Sequence, residues 1–137
     1  MDNVIVEAIR SWFQTCPLIN SDNAFFIDGL RNEQSYSIDI VPCDPTYKRY
    51  VDGRRKLQYQ FEFASKEAYD GDARTTIDNA MFYDQLLDWV RQQSDNGIFP
   101  EIEGHSVERI DVLSSGYIYG VDADLARYVA EFRLIYL

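Results

Sequence analysis

The chain has 137 residues, of which 46% are hydrophobic and 15% aromatic, and its formal net charge at pH 7 is −10. This composition predicts one globular domain over residues 1–137 and excludes a disordered chain. No segment approaches the roughly 18 apolar residues of a membrane span, and the N-terminus does not resemble a secretory signal. The acidic surface disfavours nucleic acid unless cations are gathered locally.

The N-terminal third predicts a helix followed by two strands. The apolar residues that recur at helical spacing are Ile5, Ala8, Ile9, Trp12 and Phe13. Pro17 should end this helix, because the residue before a proline avoids the α region. Residues 24–27 predict a short strand before a turn at 28–29, and residues 36–41 alternate as a half-buried strand. The prolines at 42 and 45 predict a bend at a sheet edge.

The central stretch predicts a β-hairpin. Asp52-Gly53 is a preferred dipeptide of two-residue type I′ turns. Aromatic and polar side chains then alternate from residue 57 to 63, which predicts a strand that ends near Ser65. With a two-residue loop, the cross-strand pairs are Val51 with Arg54, Tyr50 with Arg55, and Arg49 with Lys56.

The tip of the predicted hairpin gathers positive charge in an acidic protein. Lys48, Arg49, Arg54, Arg55 and Lys56 are five of the 13 Lys and Arg residues and lie within nine positions. These charges could simply protect an edge strand from pairing, or they could contact DNA. We favour a third hypothesis, a docking arm that binds the acidic surface of another copy, with apolar contact supplied by aromatic neighbours. The candidate interface residues are Tyr47, Lys48, Arg49, Tyr50, Arg54, Arg55 and Lys56.

The remaining sequence predicts a second helix and three strands. The helix should begin near Asp72, break at Asn79 and end at Asn96-Gly97. Its predicted core stripe contains Ile77, Met81, Phe82, Leu86, Trp89 and Val90. Strands are expected over 107–113, 117–121 and 128–136, with turns at 114–116 and 122–124. The order of elements predicts an α+β domain in which two helices pack on one face of an antiparallel sheet and the hairpin projects.

Candidate chemistry is sparse along the chain. The sole histidine, His105, lies in a Glu-Gly-His-Ser stretch, and the motifs of nucleophilic, zinc and nucleotide sites are absent. The segments DGD (70–72) and DAD (122–124) lack the further ligands of a calcium loop. Cys16 and Cys43 form no C-x-x-C pattern, which predicts two reduced structural thiols in a cytosolic protein. We therefore expect no enzymatic activity, no metal and no cofactor.

Ordered motifs along nearly the whole chain carry a family resemblance. They are IRSW (9–12), TCPL (15–18), YSI (36–38), VPC (41–43), KRYVDG (48–53), FASKEAY (63–69), FY (82–83), SGY (115–117), ARY (126–128) and RLIY (133–136). In this order they resemble the small minor capsid proteins of siphophages and prophages of Gram-positive bacteria, in the tail-terminator (tail-completion) group. The run from Arg54 to Lys56 is more basic than is usual in that group.

The resemblance implies a structural virion protein with no catalytic residues. Such a protein forms a hexameric ring at the head–tail junction, caps the tail tube and offers a surface to the head-completion or connector protein. Its partners would be copies of itself, the tail tube protein and the connector, while DNA passes through the lumen without specific binding. It would occur in the virion and, during assembly, in the host cytoplasm, with no membrane partner. Head-to-tail contacts that close by rotation build such rings.

A function of another class stays open. A monomeric acidic binding module, such as a DNA-mimic inhibitor of a host enzyme, would also carry a large negative charge. The five clustered cations argue against this alternative, because a mimic of DNA gains nothing from them. Oligomeric state separates the two hypotheses.

Overall fold

The computed structural model describes residues 2–19, 24–27, 35–68, 73–114, 117–122 and 125–137. Within these residues it contains two helices and one sheet of seven strands, which confirms the predicted α+β class. The elements are α1 (Asp2–Gln14), β1 (Ala24–Ile27), β2 (Ser35–Val41), β3 (Thr46–Arg49), β4 (Arg55–Ala68), α2 (Ala73–Asp95), β5 (Val107–Val112), β6 (Tyr117–Asp122) and β7 (Leu125–Tyr136). The predicted turn at 28–29 and the acidic residues at 70 and 72 lie outside the described residues, and so do residues 115–116 and 123–124 of the turns predicted at 114–116 and 122–124.

The long antiparallel pair of β4 and β7 forms the centre of the sheet. Along the free side of β4, β2 and β3 pair one after the other, and along the free side of β7, β5 and β6 do the same. The strand β1 extends the sheet by pairing parallel to β2, whereas the other described pairings are antiparallel. The two prolines between β2 and β3 occupy the sheet edge where the chain bends, as the sequence predicts.

Both helices pack on one face of this sheet. The Phe13 ring of α1 is fully buried, with its centroid 5.2 Å from that of Phe63 on β4 and 5.8 Å from that of Phe132 on β7. Trp12 contacts Trp89 of α2 at a centroid distance of 4.7 Å. Burying each such aromatic side chain contributes roughly 1.5–3 kcal/mol to the stability of the fold. We call the opposite side of the sheet the outer face.

The structure confirms part of the predicted core stripe of α2. Leu86 and Val90 are buried, and Phe82 and Trp89 are partly buried against the core. The helix runs without a break at Asn79, whose amide instead donates a hydrogen bond to the Tyr128 hydroxyl at 3.2 Å. Ile77 and Met81 are about half exposed, so their assignment to the core was wrong. The buried positions are Tyr83, Leu86, Leu87 and Val90, and at 3.6 residues per turn Ile77 and Met81 lie about a third of a turn or more away.

The C-terminus of α2 is the predicted glycine stop. Gly97 has a φ of 72°, the Ile98 amide donates to the Gln93 carbonyl at 2.9 Å, and the Gly97 amide donates to the Ser94 carbonyl at 3.2 Å. These two hydrogen bonds are the Schellman pattern, which satisfies carbonyls that the helix leaves free. The motif turns the chain so that residues 98–101 run back past α1.

Candidate functional site

The predicted hairpin is present, but its loop has three residues instead of two. The Tyr50 amide donates to the Arg54 carbonyl at 2.8 Å, and the Gly53 amide donates to the Tyr50 carbonyl at 3.1 Å. Gly53 has a φ of 92°, the left-handed position that completes a three-residue loop. The Asp52 carboxylate also accepts the Arg54 amide at 3.1 Å, which stabilises this wider turn. The predicted type I′ turn was therefore wrong.

The wider loop moves the cross-strand register by one residue. Arg49 lies opposite Arg55 and Lys48 opposite Lys56, whereas the sequence predicted Arg49 opposite Lys56. The shift thus places like charges directly across from each other twice, an arrangement that destabilises a sheet by a few tenths of a kcal/mol or more per pair. Because successive side chains alternate between faces, the two pairs point to opposite sides of the ribbon.

The pair on the outer face is compensated by neighbouring groups. Lys56 forms an ion pair with Glu108 of β5 at 2.6 Å, and this hydrogen bond raises the pKa of the Lys56 ammonium. The Lys48 ammonium lies 5.3 Å from the centre of the Tyr50 ring, and the Arg54 guanidinium lies 5.9 Å from it. The Tyr50 ring therefore interacts with two cations of the tip.

Tyr47 ties the base of the hairpin to the body of the same chain. It lies where the β3–β4 register shifts, and its hydroxyl accepts a hydrogen bond from Arg109 at 3.0 Å. Its ring lies 5.5 Å from the Arg109 guanidinium and 5.0 Å from that of Arg133. Both guanidiniums donate to the half-buried Asp111, at 2.9 Å and 2.8 Å. Sequence patterns do not reveal this cluster, because its members come from three separate strands.

Arg49 and Arg55 remain without a counter-charge. Both side chains are exposed, they oppose each other on the helix side of the ribbon, and neither forms an ion pair with any described residue. The apolar Val51 at the end of the loop is fully exposed, at 110% of its reference area. The seven candidate residues therefore fall into two groups. Those at the base of the hairpin interact with the rest of the chain, whereas the tip carries Arg49 and Arg55, which have no counter-charge among the described residues. The projection of this tip from the body stays a prediction.

A second surface feature is an apolar groove between α1 and residues 98–101. Its volume is 720 Å³, and its lining is Glu7, Ala8, Ser11, Trp12, Thr15, Ile98, Phe99, Pro100 and Glu101. The Trp12 indole nitrogen donates to the Ile98 carbonyl at 3.2 Å, which fixes the loop against the helix. The lining is largely apolar and contains neither histidine nor cysteine.

The histidine and the two cysteines lie in three different segments of the described chain. His105 is exposed, and its Nδ1 lies 3.0 Å from the Leu137 carbonyl. Cys16 is buried and Cys43 exposed, and both thiols are free. Among the residues that the structure describes, no group of His, Cys, Asp and Glu could hold a metal ion. In the same part of the chain no helix is long and apolar enough to cross a membrane.

No protein-family model matches the chain, and no curated protein is significantly similar to it. The resemblance to the tail-terminator group therefore stays a prediction that depends on the ordered motifs alone.

Proposed function

We propose that this chain is a structural assembly protein of the tail-terminator type, whose copies associate head to tail through the hairpin tip. The observation that carries the proposal is the pair of arginines, Arg49 and Arg55. They oppose each other across two strands, are exposed, and lack a carboxylate partner among the described residues, although the chain carries a net charge of −10. A second copy offers the missing negative charge.

The cost of this arrangement supports a role outside the fold. Two like charges directly opposite each other lower the stability of a hairpin. Edge protection does not require them, because β3 has only four residues and follows a proline. A partner that supplies carboxylates to both guanidiniums would convert this repulsion into charge-assisted hydrogen bonds.

The proposed ring and its position at the head–tail junction come from the family resemblance. Head-to-tail contacts between identical chains place different surfaces together and close into a ring when the rotation permits. The negative net charge fits a lumen through which DNA passes without adhering. In this proposal the tail tube protein and the head connector bind the two open ends of the ring.

Analytical ultracentrifugation of the purified chain tests the proposal. The wild type should self-associate, and the double variant Arg49→Glu/Arg55→Glu should weaken association by about a hundredfold, because two contacts become repulsive. We prefer this pair to one that includes Lys56, since Lys56 already bonds Glu108 and its loss would disturb the body. Electron microscopy of the associated fraction should show closed rings.

A matched control separates a specific contact from net charge. The variant Lys66→Glu/Arg91→Glu changes the net charge by the same amount at sites away from the hairpin, on β4 and α2. It should associate as the wild type does. A wild-type chain that stays monomeric at millimolar concentration, or equal weakening by both double variants, would contradict the proposal and favour the acidic binding module.

A further inference from the structure

We infer that the groove between α1 and residues 98–101 is the acceptor for the hairpin tip of a second copy of this chain. The inference depends on the proposed function, because it names the surface to which the docking arm binds. It follows from three properties of the groove and the tip: their apolar surfaces, their charges and the rigidity of both elements.

The groove and the tip each expose apolar surface that a contact would cover. Ile98 is 50% exposed at the groove, and Val51 is fully exposed at the end of the hairpin loop. Trp12 and Ala8 supply further apolar lining from α1. Insertion of the loop into the groove would bury Val51 against these side chains, and burial of a valine contributes roughly 1.5 kcal/mol or more.

The charges of the two surfaces are complementary. Glu7 and Glu101 line the groove, and Glu101 forms no ion pair with any described residue, while Glu7 bonds Arg10 at 3.1 Å. The tip carries Arg49 and Arg55, which likewise lack counter-charges within the described part of the chain. Each surface therefore supplies the charge that the other lacks.

Both elements are preformed, which favours docking without rearrangement. The Schellman motif at Gly97 and the hydrogen bond from Trp12 to Ile98 fix one wall of the groove. The three-residue loop and the bonds of Tyr47 and Lys56 to β5 fix the arm. A preformed contact avoids most of the cost of ordering loops and side chains on binding.

The most acidic row of the outer face is a weaker acceptor. Asp39 lies opposite Glu62, and Glu62 lies opposite Glu131 across three neighbouring strands. Arg127 already donates to Asp39 at 3.2 Å, which compensates part of this charge. The row consists of charged side chains and offers no apolar surface for Val51, so we assign the tip to the groove.

Site-directed cross-linking tests the contact directly. Chains with Val51→Cys are mixed with chains with Ser11→Cys, both in a Cys43→Ser background, because Cys43 is exposed and Cys16 is buried. Mild oxidation should give a disulfide between the two unlike chains. The matched control replaces Ser11→Cys by Leu113→Cys, an exposed site directly after β5 that does not line the groove, and should give no such product.

A charge exchange tests the energetics. Glu101→Arg should weaken self-association about tenfold, Arg55→Glu should do the same, and the chain that carries both changes should recover most of the loss. Ser11→Arg, which adds bulk and positive charge at the groove, should weaken association as Glu101→Arg does. Glu131→Arg, in the acidic row of the outer face, should leave association unchanged. Circular dichroism verifies that each variant folds.

The outcomes separate the inference from the proposed function. If Arg55→Glu weakens association but Glu101→Arg and Ser11→Arg do not, the groove is not the acceptor. The proposed function of the hairpin tip as an interface would then still be supported. If Glu131→Arg weakens association and the groove variants do not, the outer face is the acceptor. If Arg55→Glu has no effect, or the wild type does not associate, both the inference and the proposed function are overturned.

Discussion

The arginines beside the base of the hairpin share a carboxylate partner, whereas two arginines at its tip have none among the described residues. At the base, Arg109 and Arg133 share the half-buried Asp111, and Tyr47 packs on both guanidiniums. At the tip, Arg49 and Arg55 face each other without a carboxylate among the described residues. Arginine side chains of the neighbouring strands β5 and β7 thus stabilise the fold beside the base of the hairpin, whereas the two arginines at the tip lower its stability.

The difference teaches how to separate charges that fold the chain from charges that bind a partner. A cation held by a carboxylate and an aromatic ring has its interactions within the chain, and its removal should destabilise the protein. An exposed cation opposite a like charge gains nothing from folding, and its removal should be neutral or favourable. Measurements of stability therefore locate the interface before any partner is known.

The largest expected change in the free energy of unfolding comes from a substitution at the base of the hairpin. Asp111→Ala should lower the free energy of unfolding by about 3 kcal/mol, because two partly buried guanidiniums lose their shared acceptor. Urea denaturation followed by circular dichroism measures this loss. The control Asp88→Ala removes an exposed ion pair with Arg91 on α2 and should cost less than about 0.5 kcal/mol. Equal losses in the two variants would show that the cluster around Asp111 stabilises the fold no more than an exposed ion pair does.

At the tip we expect a smaller change in the free energy of unfolding, and of opposite sign. Arg55→Thr should raise the free energy of unfolding by about 0.5 kcal/mol, because it removes the repulsion from Arg49 and introduces a β-branched residue into a strand. Arg55→Lys keeps the charge and should leave stability nearly unchanged. The same urea experiment checks both variants, and a loss of stability in Arg55→Thr would show that the arginine serves the fold.

A further effect of similar size concerns the stability contributed by the acidic row of the outer face, and it depends on pH. Burial of Glu62, together with the charges of Glu131 and Asp39, raises the pKa of its carboxyl group in the folded protein. The folded state therefore binds this proton more tightly than the unfolded state, so stability falls as pH rises from the ordinary pKa through the raised one.

Glu62→Gln should remove this dependence. The variant should be more stable than the wild type at pH 7 by about 0.5 kcal/mol, and the two proteins should converge at a pH below both pKa values. Thermal unfolding across a pH series measures the difference. A glutamine variant that is less stable at pH 7 would show that Glu62 has a stabilising partner.

Local periodicity accounts for what the sequence predicts correctly. The apolar stripe of α1, the alternation in β2 and β4, and the glycine stop after α2 each depend on residues close together in the chain. The structure confirms all of these elements. The basic residues at the tip were also identified from sequence, because their clustering is visible without a fold.

The errors arise where long-range contacts decide the outcome. The Asp52-Gly53 dipeptide fits both a two-residue loop and the three-residue loop that the structure contains, and only the cross-strand register distinguishes them. From sequence alone Asn79 predicts a break in the helix, but in the fold its side-chain amide donates a hydrogen bond to the Tyr128 hydroxyl. The cluster of Tyr47 with Arg109 and Arg133 joins three strands that are distant in the chain, so no local sequence pattern predicts it.

The most direct test of the account is the salt dependence of self-association. For the wild type, the dissociation constant from sedimentation equilibrium should rise about tenfold or more between roughly 0.05 M and 0.5 M NaCl, because exposed charges are screened over a few ångströms at high salt. In Arg49→Glu/Arg55→Glu the residual association should lose this dependence. A wild-type constant that does not change with salt, or a chain that never associates, would contradict the claim that these two arginines bind a second copy.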